Sequence, residues 1–134
     1  MHYIFHMSQT ETLIAAASLA RTNAYAPNSN YKVGAAVLCE NDKIVVGCNV
    51  ENSKFLQIGT CAEVTCLHAA RAQGFKHFET LAIVSENGVA PCGTCREVIM
   101  DHNPDMILIL AKTDGTSQSM KIKELLPMSF ELKR

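Results

Sequence analysis

The sequence predicts an α/β fold of three layers (α-β-α), with helices on both faces of a mixed five-stranded sheet. Three observations carry this. An apolar stripe at helical spacing opens the chain, two nearly unbroken apolar runs follow with a turn between them, and helix-like and strand-like segments alternate after residue 60.

Taken in order, Ser8 and Glu11 form an S-x-x-E capping box ahead of a helix over about Gln9 to Asn23, with Leu13, Ala16, Ala17 and Ala20 facing inward. Pro27 to Asn30 is a loop. Val33 to Cys39 and Ile44 to Val50 form an antiparallel hairpin of buried strands around an Asn41-Asp42 turn. Thr60 is expected to cap a helix over Cys61 to Gln73, which Gly74 closes. Leu81 to Ser85 is a third strand, Gly93 to Asp101 a helix after Pro91, and Met106 to Ala111 a fourth strand. The crossover between those two strands makes them parallel. Beyond the Asp114-Gly115 turn come a short fifth strand over Met120 to Ile122 and a helical turn over Lys123 to Leu126, stopped by Pro127.

With 134 residues, 48% of them apolar and 19% charged, the chain suits one core, so residues 1–134 are expected to form one domain. Residues 1–6 read as an extension, because Met7 serves equally well as a start. A net charge of -1, no Trp and 6% aromatics supply neither the basic surface nor the stacking platforms of a nucleic-acid partner. No secretory leader is expected, and the apolar runs are too short to span a bilayer. The expected compartment is the cytoplasm, with no membrane partner.

Six cysteines, at 39, 48, 61, 66, 92 and 95, are then expected to be reduced. Three of them stand in a pattern: Cys61-Ala62-Glu63, then Pro91-Cys92-Gly93-Thr94-Cys95. A catalytic Zn2+ site uses three protein ligands and an open fourth position, and three thiolates can supply that set. Cys61 opens one expected helix and Cys92 and Cys95 another, where the partial positive charge lowers thiol pKa values. Glu63, two residues after a ligand, can reach a zinc-activated water and carry its proton without ligating the metal. C-x-E followed by P-C-x-x-C is the signature of zinc deaminases of nucleobases. Blander readings exist: Glu63 completes a T-x-x-E capping box with Thr60, and Cys92 and Cys95 alone have the spacing of a redox pair. The redox reading leaves Cys61 and Glu63 unexplained. Cys39, Cys48 and Cys66 read as core filler, and the five His show no ligand spacing.

At these residues the chain resembles the small cytidine deaminases of pyrimidine salvage. The likeness runs from the first helix through Tyr31-Lys32-Val33-Gly34-Ala35-Ala36, Gly47-Cys48-Asn49-Val50-Glu51-Asn52 and both cysteine motifs to Glu124-Leu125-Leu126-Pro127, and is weakest over Ser53 to Thr60. The resemblance implies a cytidine deaminase-like fold and hydrolysis of cytidine or deoxycytidine to uridine or deoxyuridine plus ammonia. It implies that water attacks C4 while Glu63 shuttles protons. It also implies that Asn49 and Glu51 bind the sugar hydroxyls, that Tyr31 flanks the nucleoside, and that Ala62 offers its N–H to the base carbonyl. Phe130 resembles an aromatic that lies near a neighbouring subunit's site in tetrameric members, so a homotetramer is expected. Many members carry Arg directly after the catalytic Glu, whereas this chain has Val64. Blasticidin S deaminases also lack that Arg, but they lack the N-x-E pair that this chain keeps. A nucleoside antibiotic is therefore the alternative substrate. A polynucleotide deaminase and a non-catalytic zinc module are the remaining readings.

Overall fold

The computed structural model describes residues 7–133; the expectation about residues 1–6 lies outside them. Helix α1 (Gln9–Arg21) begins where Ser8 Oγ accepts from Glu11 N at 3.1 Å. Strands β1 (Gly34–Cys39) and β2 (Ile44–Cys48) pair antiparallel across a turn in which Asn41 and Asp42 adopt positive φ, a conformation that short polar side chains tolerate. Helix α2 (Ala62–Ala72), strand β3 (Phe78–Ser85), helix α3 (Gly93–His102), strands β4 (Ile107–Lys112) and β5 (Ser117–Lys121) and the short α4 (Ile122–Leu125) follow.

The sheet order is β2-β1-β3-β4-β5, with β3 and β4 parallel and every other neighbour antiparallel. It is therefore mixed and five-stranded, with helices on both faces. Alternation along β1 divides the core. Ala36 and Leu38 meet Leu13 and Ala17 of α1 on one face, while Ala35 and Val37 meet Ala62, Cys66 and Leu67 of α2 on the other. Gly34 allows α1 this close: a Cβ there would lie 1.9 Å from the carbonyl oxygen of Ala17. Cys39 and Cys66 are buried in the core as expected, and Cys48 is half-buried in β2.

The cap of α2 is a correction. The N-cap is Cys61, not Thr60, and no side chain caps it. Thr60 is drawn out of the helix because it exchanges backbone hydrogen bonds with Val50, at 2.8 and 2.9 Å. Glu63 therefore occupies the second helical position, and the T-x-x-E box does not form. Strand β3 also begins three residues earlier than expected, because Phe78, Thr80 and their neighbours pair with the end of β1.

The register brings Cys48, Gly34 and Val84 side by side. The C-terminal ends of β2 and β3 thus lie at the same end of the sheet. The loop leaving each strand leads into a helix, α2 or α3, on the same face. Two helix N-termini consequently meet at that end of the sheet.

Candidate active site

Cys61 and Cys92 are the N-caps of α2 and α3, and Cys95 lies on the first turn of α3. Neither N-cap thiol is engaged as a helix cap. The three sulfurs lie within 4.8 Å of one another, with Cys61–Cys92 at 3.9 Å and Cys92–Cys95 at 3.4 Å. Tetrahedral zinc with Zn–S bonds of ~2.3 Å places its sulfurs ~3.8 Å apart. The three thiols fit that ion, and the set is one ligand short of closure. Among the described residues they form the one cluster able to hold a metal. Hydrogen bonding from Cys95, reinforced by Cys92, holds the Cys61 thiol down at about 6, while burial and the charge of Glu63 oppose this. Cys95 is pushed the other way by its hydrogen bond to Cys61 and by burial.

Glu63 is 5% exposed, and burial raises its pKa above the ordinary carboxylate value. Ala62 is buried beside it at the first helical position, where a backbone N–H has no partner within the helix. Both line a cavity of about 330 Å3 with Cys61 and Cys92. Asn49 and Glu51 line the same cavity, reached through the loop after β2, and Tyr31 and Ser29 line it from the loop after α1.

The polar groups of this wall are held in place. Asn49 Oδ1 accepts from Val33 N at 2.9 Å, and its Nδ2 donates to the Tyr31 carbonyl at 2.8 Å. Glu51 Oε1 accepts from Asn28 N at 2.9 Å and Ser29 N at 3.1 Å, and its Oε2 accepts from the Ser29 hydroxyl. These bonds, that of the Ser29 hydroxyl foremost, hold the Glu51 carboxyl below its ordinary pKa and keep it ionised. The Tyr31 hydroxyl donates to Asn87 Oδ1, tying the loop after α1 to the loop after β3.

The fold thus brings seven of the residues read from the sequence to one place: Cys61, Cys92, Glu63, Ala62, Asn49, Glu51 and Tyr31 line the cavity. Cys95 stands behind them, buried against Cys92. Phe130 is absent from this wall. It is 77% exposed in an outer groove with Met100, Pro104 and Leu132. Sequence reasoning missed Ser29, Asn87 and Ser85. Ser85 is 1% exposed, and its Oγ accepts from Gly88 N at 3.0 Å and Val89 N at 3.3 Å, which shapes the loop before Cys92. A polar residue ending an apolar strand was the available signal for Ser85; Ser29 and Asn87 had none.

Comparison with known proteins agrees with this geometry. The family model for the cytidine and deoxycytidylate deaminase zinc-binding region matches residues 7–111. The cytidine deaminase of Sporosarcina psychrophila is 41% identical over 123 residues, covering 90% of both chains. The blasticidin-S deaminase of Bacillus cereus is 30% identical over 137 residues, covering 94% of this chain and 96% of that one. The crystal structure of cytidine deaminase from Burkholderia pseudomallei superposes with a TM-score of 0.86 at 40% identity, covering 92% of this chain and all of that one. Matched along most of its length in sequence and in fold, the chain belongs to the zinc-dependent cytidine and deoxycytidylate deaminase family.

Proposed function

We propose that the chain hydrolyses cytidine and deoxycytidine to uridine and deoxyuridine, releasing ammonia, as a hydrolase of cyclic amidines. The observation that carries this is one cavity lined by two metal-type thiols with a third behind them, a buried carboxyl at Glu63 and an ionised carboxylate at Glu51, with no Lys or Arg in the wall among the described residues. A nucleoside fits that charge pattern. A 5′-phosphate would face carboxylates without a counter-charge, which separates nucleosides from deoxycytidylate within the family's range.

Cys61, Cys92 and Cys95 would hold Zn2+, which when bound lowers the pKa of a water toward neutrality. Glu63 takes a proton from the attacking water and delivers it to N3 of the base as oxygen adds to C4. It then carries the second proton to the leaving amine, the C4–N bond breaks, and ammonia departs from the uracil product. The raised pKa of Glu63 suits a group that must both accept and release protons. The Ala62 N–H donates to the base carbonyl. Tyr31 flanks the nucleoside.

Asn49 and Glu51 keep spare capacity for the sugar. An ionised carboxylate offers about four lone-pair sites, and the three bonds to Glu51 leave one for a hydroxyl. Asn49 likewise retains one acceptor site and one donor.

The assembly is read as a homo-oligomer, a tetramer by resemblance, with Phe130 completing a neighbour's site. Its support is the exposure of Phe130 away from its own cavity and of Val50, Phe55, Leu56 and Ile58 beside the loop that carries Glu51. Light scattering that finds active enzyme as a monomer ends this reading. Among the described residues no helix is long and apolar enough to cross a membrane. A site built on reduced thiols fits the cytoplasm.

The deciding experiment incubates zinc-loaded protein with cytidine, deoxycytidine, deoxycytidylate, cytosine and blasticidin S, and follows absorbance. Turnover of both nucleosides with little of deoxycytidylate is expected. Strong turnover of blasticidin S with weak turnover of cytidine would replace the proposal with the antibiotic reading.

A further inference from the structure

Arg96 follows Cys95 on the first turn of α3 and is half-buried. Its backbone N–H donates to the Cys92 carbonyl at 3.0 Å. Its Nε donates to the Pro91 carbonyl at 2.8 Å, and its Nη1 to the Leu125 carbonyl, in α4, at 2.9 Å. The first two acceptors belong to the peptide groups before and after the Cys92 α-carbon. One residue therefore fixes both peptide planes that flank this thiol, and with them the direction of its Cα–Cβ bond. The third bond anchors the guanidinium, so its aim does not depend on solvent.

Cys92 needs such a strut. Its thiol is exposed in the cavity, it has no side-chain cap, and Pro91 before it has no N–H of its own to tie the loop down. Cys95 differs, being buried inside the helix. We propose that Arg96 is a positioning residue for the metal ligand Cys92, with the Leu125 carbonyl as its anchor, so that the packing of α4 and zinc retention are coupled. The proposal rests on the reading of the three thiols as a zinc site. A planar fork reaching two carbonyls in different elements is a task that the single ammonium of Lys does not reproduce.

The test uses the zinc-loaded full chain with Arg96→Lys and Arg96→Gln. Zinc release to a chromogenic chelator is timed, the visible spectrum of the Co2+-loaded protein is recorded, and the thermal midpoint of the metal-free chain is compared. Loss of an outer partner of a metal ligand costs roughly 10–100-fold in metal affinity. Both variants are expected to release zinc about that much faster and to shift the Co2+ bands, while the metal-free midpoint stays near that of the parent. Lys behaving like Arg would show that charge alone matters and would overturn the proposal. Unchanged zinc release in either variant, or a fall in metal-free stability large enough to account for the faster release, would overturn it as well. A parent chain that binds no zinc would instead overturn the zinc reading itself.

Discussion

Cys61 and Cys92 begin two different helices, 31 residues apart in sequence, and their sulfurs stand 3.9 Å apart. Neither helix alone makes the site. Strands β2 and β3 both run antiparallel to β1 between them, so their C-terminal ends, which lead into α2 and α3, lie at the same end of the sheet and bring the two starts together. Replacing Cys61 with Ala should therefore abolish zinc binding and activity together while leaving the sheet intact. Metal analysis would check this, and full zinc content in Cys61→Ala would assign the ligand elsewhere.

Glu63 carries no capping duty, because Cys61 rather than Thr60 is the N-cap. Glu63→Gln keeps the shape of the side chain and removes a buried ionisable group. The fold and zinc content should survive, and turnover should drop by roughly 10²–10⁴ or more. Single-turnover kinetics with metal analysis reads both. Near-normal turnover would move the proton-transfer role to another residue.

The cluster of Cys61, Cys92 and Cys95 with Glu63 beside it was legible because these residues form short motifs at helix starts, where local chemistry decides. Asn49 and Glu51 were legible as a resemblance only. The partners that orient them, Tyr31 and Val33 for Asn49 and Asn28 and Ser29 for Glu51, come from a loop 16 to 23 residues upstream and are set by tertiary packing. The cap of α2 was misread for the same reason. A T-x-x-E pattern is a local signal, and the backbone pairing of Thr60 with Val50 outweighs it. The start of β3 was missed because Glu79 and Thr80 interrupt the apolar run, while β1 supplies the pairing that keeps them in the strand.

Gly47 lets α2 rest directly on β2. A Cβ at this position would lie 2.4 Å from the backbone N of Cys66 and 2.7 Å from its Cα, and backbone does not yield as a flexible side chain does. Gly47→Ala is expected to cost about 1–3 kcal/mol, a fall of roughly 4–10 °C in Tm for a chain of this size. It should also disturb the helix that carries Cys61 and Glu63. Differential scanning calorimetry checks this, with Gly93→Ala as the contrast, since a Cβ at Gly93 meets nothing within 4 Å.

Arg71 Nε donates to His102 Nδ1 at 2.9 Å, a bond that requires a neutral imidazole. Burial and then the Arg71 charge lower the His102 pKa from its ordinary 6.5; Asp101 opposes this, and His68 adds to it weakly. The unfolded chain therefore binds more protons than the folded one as pH falls. The stabilisation is complete above about 6.5, and it is lost as pH drops through the folded value. The Tm of the parent should fall between pH 7.5 and 5.5 by more than that of His102→Gln, which has no proton to gain. Equal slopes for the two proteins would remove His102 from the account.

Glu51 both organises a loop and offers a carboxylate to the cavity, and two substitutions separate these duties. In Glu51→Gln the amide oxygen can still accept from Asn28 N and Ser29 N, so the loop should hold while the charge is lost. In Glu51→Ala both are lost. If the spare lone pair binds a sugar hydroxyl, Glu51→Gln should lower kcat/KM for cytidine by roughly tenfold and Glu51→Ala by up to about a hundredfold, the range set by one hydrogen bond to a charged acceptor. Free cytosine has no sugar to lose, so its turnover should hardly change in Glu51→Gln. A carboxylate that only organised the loop predicts the opposite pattern: Glu51→Gln close to the parent on every substrate, and Glu51→Ala poor on cytidine and cytosine alike. Steady-state kinetics on the two substrates with the two variants decides between them, because only the sugar-binding role makes the loss depend on the presence of ribose.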